Sequence, residues 1–125
     1  GDYVMFCPPG EDVFVEARKR GYLSPGQCDG NFSQMMKKIL AAKNDRVSVT
    51  KNGVYINSKL IPFSKPIAKD GTNRPMPVFR VEDYQLKDDE LLLMGEDNPI
   101  SWDGRYYGLV KVTQIRTVVY PVYIY

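Results

Sequence analysis

The chain contains no histidine among its 125 residues. That absence removes the Ser-His and Cys-His couples of ordinary nucleophilic catalysis, and every histidine-bound metal site with them. Proton transfer near neutral pH must then fall to a lysine or a carboxylate whose pKa its surroundings have moved. Cysteine is almost as scarce. Cys7 and Cys28 do not make a zinc site, which wants about four ligands at closer spacing, and no cofactor is expected. In an oxidising compartment the pair can form one bridge, and in the cytosol it stays as two thiols. Charge of either sign is nearly balanced: 17 Lys and Arg against 15 Asp and Glu leave +2. The basic residues are scattered, not striped, so no nucleic-acid partner is expected. Internal repeats and low-complexity blocks are also missing.

What is present suits one domain, since 43% apolar residues over this length can build an ordinary core. Residues 3–6 form a short apolar run stopped by Pro8-Pro9-Gly10, which reads as a strand ending in a turn. Asp12 is placed to cap a short helix running to Arg20, with Gly21 to close it and Phe14 and Ala17 on its inner face. Residues 23–33 read as loop. Residues 35–42 are apolar with two lysines, and periodicity leaves strand and helix both open. Val47 and Val49 alternate with polar residues, Asn52-Gly53 offers a type I′ turn, and Val54 and Ile56 continue the alternation as a hairpin. Residues 62–77 are rich in Pro, Lys and Gly and read as a surface excursion. Strands are expected at 78–81, 91–94 and 109–120. The sum is a mainly β domain with one short helix.

The closing residues, 118–125, are almost all β-branched or aromatic around Pro121. Eight residues are far short of the roughly 20 that span a bilayer as a helix. An edge strand is one reading, because Pro121 cannot donate to a ladder. A tyrosine-bearing rim resting at a membrane interface is the other. At the front, the chain opens inside a strand-like run with no starter methionine, signal peptide or apolar span, so it is expected to be a piece of a longer protein.

Three segments carry a specific pattern. Gly1-Asp2-Tyr3-Val4 is the first, and Met36-Lys37-Lys38-Ile39-Leu40-Ala41-Ala42-Lys43-Asn44-Asp45-Arg46-Val47 the second. The third is Gly95-Glu96-Asp97-Asn98-Pro99-Ile100-Ser101-Trp102-Asp103-Gly104-Arg105-Tyr106-Tyr107-Gly108. In order and register these resemble the boxes of the signal peptidase I clan, a group of Ser/Lys peptidases. Lys37, Asp45 and Val47 fall on its lysine box, and Ser101, Asp103, Arg105 and Gly108 on its Ser-x-Asp-Ser-Arg-x-x-Gly box. The Cys-Pro-Pro segment, the Glu-Ala-Arg-Lys-Arg-Gly-Tyr helix and the Met-Met-Lys-Lys run resemble, more closely, the TraF-type peptidases of conjugative transfer. Two departures stand out: Gly-Glu-Asp-Asn replaces Gly-Asp-Asn, and Gly104 takes a place usually held by serine.

The resemblance implies a signal-peptidase-like antiparallel β domain, with Lys37 as general base and Ser101 orienting its amine. Asp103 and Arg105 are expected to pair and brace the loop, and Asp97 and Asn98 to make turn hydrogen bonds. Asp45 and Arg46 are expected at the hairpin edge, outside the chemistry. The nucleophilic serine of the family lies upstream of the Gly-Asp-Tyr strand, so this piece is expected to be inactive alone. The chemistry is consistent with a chain lacking histidine. A neutral amine can take the proton of a serine hydroxyl, provided its pKa falls several units from about 10.4, which burial can achieve. If 35–40 is a strand, Met35, Lys37 and Ile39 share one face and Lys38 takes the other.

By resemblance, the function is endoproteolysis through an acyl-enzyme in a conjugative plasmid transfer system, processing and in some members cyclising a pro-pilin. The alternative is a general leader peptidase for exported preproteins. Implied partners are the substrate, the membrane surface and an N-terminal anchor helix outside this sequence. The implied location is the bacterial inner membrane, with the catalytic domain in the periplasm, where Cys7 and Cys28 are candidates for a disulfide. Two further rivals are a self-cleaving DNA-damage repressor, which also uses Ser/Lys chemistry, and a non-enzymatic scaffold of the transfer apparatus.

Overall fold

The computed structural model describes residues 3–8, 12–22, 26–28, 34–95 and 102–119. Tyr3–Phe6 forms β1, Asp12–Lys19 the helix α1 and Met35–Ala41 the strand β2. Arg46–Thr50 (β3), Gly53–Ile56 (β4) and Lys59–Leu60 (β5) follow, then Val81–Gln85 (β6) and Glu90–Met94 (β7). Gly104–Tyr107 is a one-turn helix, α2; Val110–Lys111 is β8; a 3-10 turn over Val112–Gln114 leads into β9 (Ile115–Val119). Two sheets result, ordered β8-β7-β2-β1-β9 and β5-β4-β3-β6, with antiparallel pairing throughout the described ladders. The fold is mainly β.

Two apolar cores follow from strand alternation. Val4 and Phe6 of β1 point into the first, with Phe14 and Ala17 of α1 and the aromatic side chains around α2. Val47, Val49 and Val54 of the hairpin fill the second. β7 serves both, because successive residues face opposite ways: Leu93 enters the first core and Leu92 the second. Phe14 is 1% exposed, and burying such a side chain contributes about 1.5–3 kcal/mol. The insertion carrying α1 is held to the end of β1 by a Cys7–Cys28 disulfide, with a Cα–Cα distance of 5.6 Å.

Several local expectations are revised. The ambiguous 35–41 run is a strand because β1 and β7 flank it and take its backbone hydrogen bonds. The hairpin exists, but its register pairs Thr50 with Gly53, so the turn is Lys51-Asn52. The Thr50 hydroxyl accepts the Asn52 N–H at 3.1 Å, and Gly53 is needed inside the strand instead. Its φ is +143°, and a Cβ there would come within 2.8 Å of Leu60 Cδ1 and 2.9 Å of Ser64 Oγ. The strand expected at 78–81 begins only at Val81, and the one expected over 109–120 is split by the 3-10 turn. The second helix, α2, is a single turn and too short to leave a periodic pattern. The closing residues lie outside the described part from 120 onward; up to Val119 they belong to β9, at the edge of the first sheet.

Candidate active site

β2 delivers Lys37 to the first core. It lies opposite Val4 in the β1–β2 ladder, and Val4 is fully buried. Met35 and Ile39, two residues away on either side, pack against the same core. The stem of Lys37 is thereby bracketed by apolar groups, and Lys37 is itself half-buried. Burial pushes its pKa below the ordinary lysine value; the negative charge of Asp103 pulls it back up, and the positive charge of Arg105 presses it down. A buried amine of lowered basicity is the state a general base requires. Lys38 points to the other face, its Nζ 6.0 Å from the centre of the Tyr3 ring.

The third box converges on Lys37 through α2. Asp103 caps this turn, its carboxylate accepting the Arg105 N–H at 3.1 Å. The same carboxylate accepts the guanidinium in a fork, Nε to Oδ1 at 2.9 Å and Nη2 to Oδ2 at 3.0 Å. Oδ2 also accepts the Gly95 N–H at 3.1 Å, tying the end of β7 to the start of α2. Both charged side chains are 0% exposed. Such a pair is held by its own geometry and by the hydrogen bonds around it. Arg105 reaches further, donating from Nη1 to the Lys65 carbonyl at 3.3 Å and lying over the Tyr106 ring.

Gly104 is explained by space. A Cβ at this position would lie 2.7 Å from the Leu93 carbonyl oxygen and 2.7 Å from Leu92 Cδ1. α2 therefore rests directly on the β7 backbone, and serine would not fit without moving one of them. Around it lies an aromatic cluster that sequence reasoning did not assign: Phe14, Trp102 and Tyr107, with Trp102 and Tyr107 ring centres 4.7 Å apart. The signal was available in the three aromatic residues that surround Asp103 and Arg105. The Tyr107 hydroxyl is enclosed, and burial raises its pKa well above the ordinary value.

Ser101, Asp97 and Asn98 lie outside the described residues. Asp45 accepts the Ala42 N–H at 3.0 Å and an Asn57 amide N–H at 3.0 Å, while Arg46 pairs with Asp83 at 2.8 Å. Both serve the second sheet. Among the described residues no three His, Cys, Asp or Glu side chains converge as metal ligands, and no helix is long and apolar enough to cross a membrane.

Residues 1–124 match the family model described as signal peptidase, peptidase S26. The chain belongs to the S26 signal peptidase family. Membership in S26 makes it a serine peptidase domain by descent. Among S26-type relatives, two plasmid transfer proteins TraF of Escherichia coli are 46% and 47% identical to it over 122 residues. Each match covers 98% of this chain, and 68% or 69% of the relative. A conjugal transfer protein TraF of Agrobacterium tumefaciens is 32% identical over 123 residues, covering 98% of this chain and 68% of its own. The crystal structure of a signal peptidase I from Enterococcus faecalis matches with a TM-score of 0.50 at 17% identity, over 95% of this chain and 93% of that one. That likeness establishes the S26 fold.

Proposed function

We propose that this domain is the lysine-bearing part of a Ser/Lys endopeptidase of a conjugative plasmid transfer system, acting on a pro-pilin in the periplasm from an inner-membrane anchor. The observation that carries the reading is Lys37, half-buried on β2 with its basicity depressed by desolvation and under the charges of the locked Asp103–Arg105 pair. The transfer proteins among the relatives support the cellular setting.

The chemistry is compact. Neutral Lys37 Nζ takes the proton of a serine hydroxyl supplied by a segment outside these 125 residues, and the serine oxygen attacks the scissile carbonyl. As the tetrahedral adduct collapses, the Lys37 ammonium returns its proton to the leaving amine, leaving an acyl-enzyme. Attack by water gives a linear product; attack by the pilin's own amino terminus gives a circular one. Ser101, one residue ahead of Trp102, is assigned to hold the amine in line. An extended substrate has a place to add. Among the described residues β1 flanks Met35–Lys38 on one side of β2, and β7 begins pairing only at Lys38 on the other. A peptide strand is assigned to the β7 side of Met35–Lys37, where it would continue the line of β7 along β2.

The test is turnover by the complete protein offered a pro-pilin or a secretory preprotein, each read by intact mass. Cleavage of the pro-pilin that is lost in Lys37→Met supports the reading. Preference for the preprotein would make the protein a general leader peptidase, and cleavage that survives Lys37→Met would overturn the Ser/Lys assignment.

A further inference from the structure

On the face of β2 that carries Lys38 rather than Lys37, a cavity of about 110 Å³ opens between Leu40, Ile61, Pro62, Phe63 and Met94, with Lys38 and Gly95 completing its lining. One wall is unusual. Phe63 is 66% exposed and holds a φ of +58°, a backbone region that costs a bulky residue roughly 1–2 kcal/mol. An exposed aromatic in a strained conformation is not explained by packing of the fold. The strap around it is firmly tied: the Ser64 hydroxyl donates to the Ile61 carbonyl and accepts the Val54 N–H, and the Tyr106 hydroxyl accepts the Ile67 N–H at 2.9 Å. Arg105 holds the Lys65 carbonyl while it holds Asp103. The pocket wall is therefore anchored by the residue that also braces the site opposite Lys37.

The position of this cavity has a consequence for an extended peptide. Side chains of a strand alternate between the two sheet faces. A peptide added along Met35–Lys37 as that reading assigns, with its acyl residue on the Lys37 face, must send the adjacent side chain to the Lys38 face. That is where the cavity lies, at the end of β7 marked by Met94 and Gly95. We propose that the Phe63 cavity is a specificity subsite for the substrate residue next to the acyl residue, and that it takes a branched aliphatic side chain such as Val or Leu. The volume fits three or four heavy atoms, at roughly 30 Å³ each. The side chains of the lining are apolar apart from Lys38, so an amide side chain would lose solvation without a full set of partners there.

This inference rests on the Ser/Lys peptidase reading, and the experiment separates the two. The complete enzyme is given peptides differing only at that residue (Ala, Val, Leu, Asn), and kcat/KM is measured for each. The expected result is a preference for Val or Leu over Ala of roughly 10-fold or more, the range a few methylenes command in an apolar pocket. Phe63→Ala, an exposed substitution, should reduce that preference to within about 3-fold, because the wall that encloses the side chain is gone. Leu40→Trp, which fills the cavity, should invert it in favour of Ala; thermal melts check that both variants fold. Cleavage that depends on Lys37 but shows the same selectivity in wild type and Phe63→Ala overturns the subsite alone. Selectivity altered in neither variant does the same, and failure to cleave any of the peptides overturns both readings.

Discussion

Val4 stands directly across the β1–β2 ladder from Lys37, and Val4 is fully shielded from solvent. Directly opposed residues bring their Cβ atoms to about 5 Å, so the lysine stem is held beside a dry apolar side chain. The next residue along, Lys38, stands opposite Tyr3 and takes the other face. Two adjacent and chemically identical lysines thus acquire different environments from strand alternation alone.

That difference predicts the outcome of substituting each. In the complete enzyme, Lys37→Met should abolish acylation while leaving the fold intact, because an apolar chain replaces an amine that is already bracketed by apolar groups. Lys37→Arg should fail as well, since a guanidinium stays protonated at usable pH and cannot accept the serine proton. Lys38→Met should retain substantial turnover. Ser101→Ala should cost about 10- to 1000-fold, the scale of a lost positioning bond to a general base. Single-turnover acylation kinetics with circular dichroism as the folding control decide the matter, and equal losses at 37 and 38 would count against the assignment.

The pH dependence follows from the direction of the Lys37 shift. Burial lowers its pKa, so the neutral, active amine appears at lower pH than in a free lysine. Activity should rise with pH and reach its midpoint below about 10.4. Stability has the same sign. Between the lowered folded pKa and about 10.4 the unfolded chain binds more protons, so folding should become more favourable as pH rises through that window. Lys37→Met should lose this slope and be more stable at neutral pH, raising the melting temperature by a few degrees; an unchanged slope in the variant would show that Lys37 is not the group responsible.

Asp103 and Arg105 are each other's principal partners, and both are fully buried. Removing either side chain leaves the other charge stranded, which should cost about 3–5 kcal/mol. Arg105→Ala and Asp103→Ala should each be destabilised by this amount in urea, and the double variant by less than the sum of the two. Additive losses would indicate that the pair is not coupled.

The Cys7–Cys28 bond closes a loop of sequence separation 21, and in the chain-entropy model such a bond stabilises by about 3 kcal/mol. Protein exported to the periplasm should resist alkylation until reduced, and reduction should lower its stability by roughly that amount. Intact mass before and after reduction reads the first, and denaturant unfolding the second; free thiols in unreduced protein would contradict the bridge.

Gly104→Ser, which restores the residue usual in the family, should destabilise this chain. The added Cβ would meet the Leu93 carbonyl 2.7 Å away, and overpacking of this kind costs about 1–3 kcal/mol. A melting temperature equal to that of the wild type would mean that α2 can lift from β7 without penalty.

Much of this was legible in the residues themselves. The lack of histidine confined proton transfer to a lysine or a carboxylate, the three boxes carried the family resemblance, and alternation placed Lys37 and Lys38 on opposite faces once a strand was assumed. The assumption itself was not decidable locally, because seven mostly apolar residues satisfy a short helix as well as a strand. Only the flanking β1 and β7 settled it, by taking the backbone hydrogen bonds of β2. The turn of the hairpin was misplaced for a related reason: Gly53 is required by the approach of Leu60 and Ser64, which are distant from the turn in its local sequence window. The depression of the Lys37 pKa, the fork between Asp103 and Arg105 and the bracing of the Phe63 strap all depend on groups that meet only when the two sheets and α2 have packed. Residue type and order set which chemistry was open to the chain; desolvation and long-range contact, which no local pattern encodes, give Lys37 its lowered basicity.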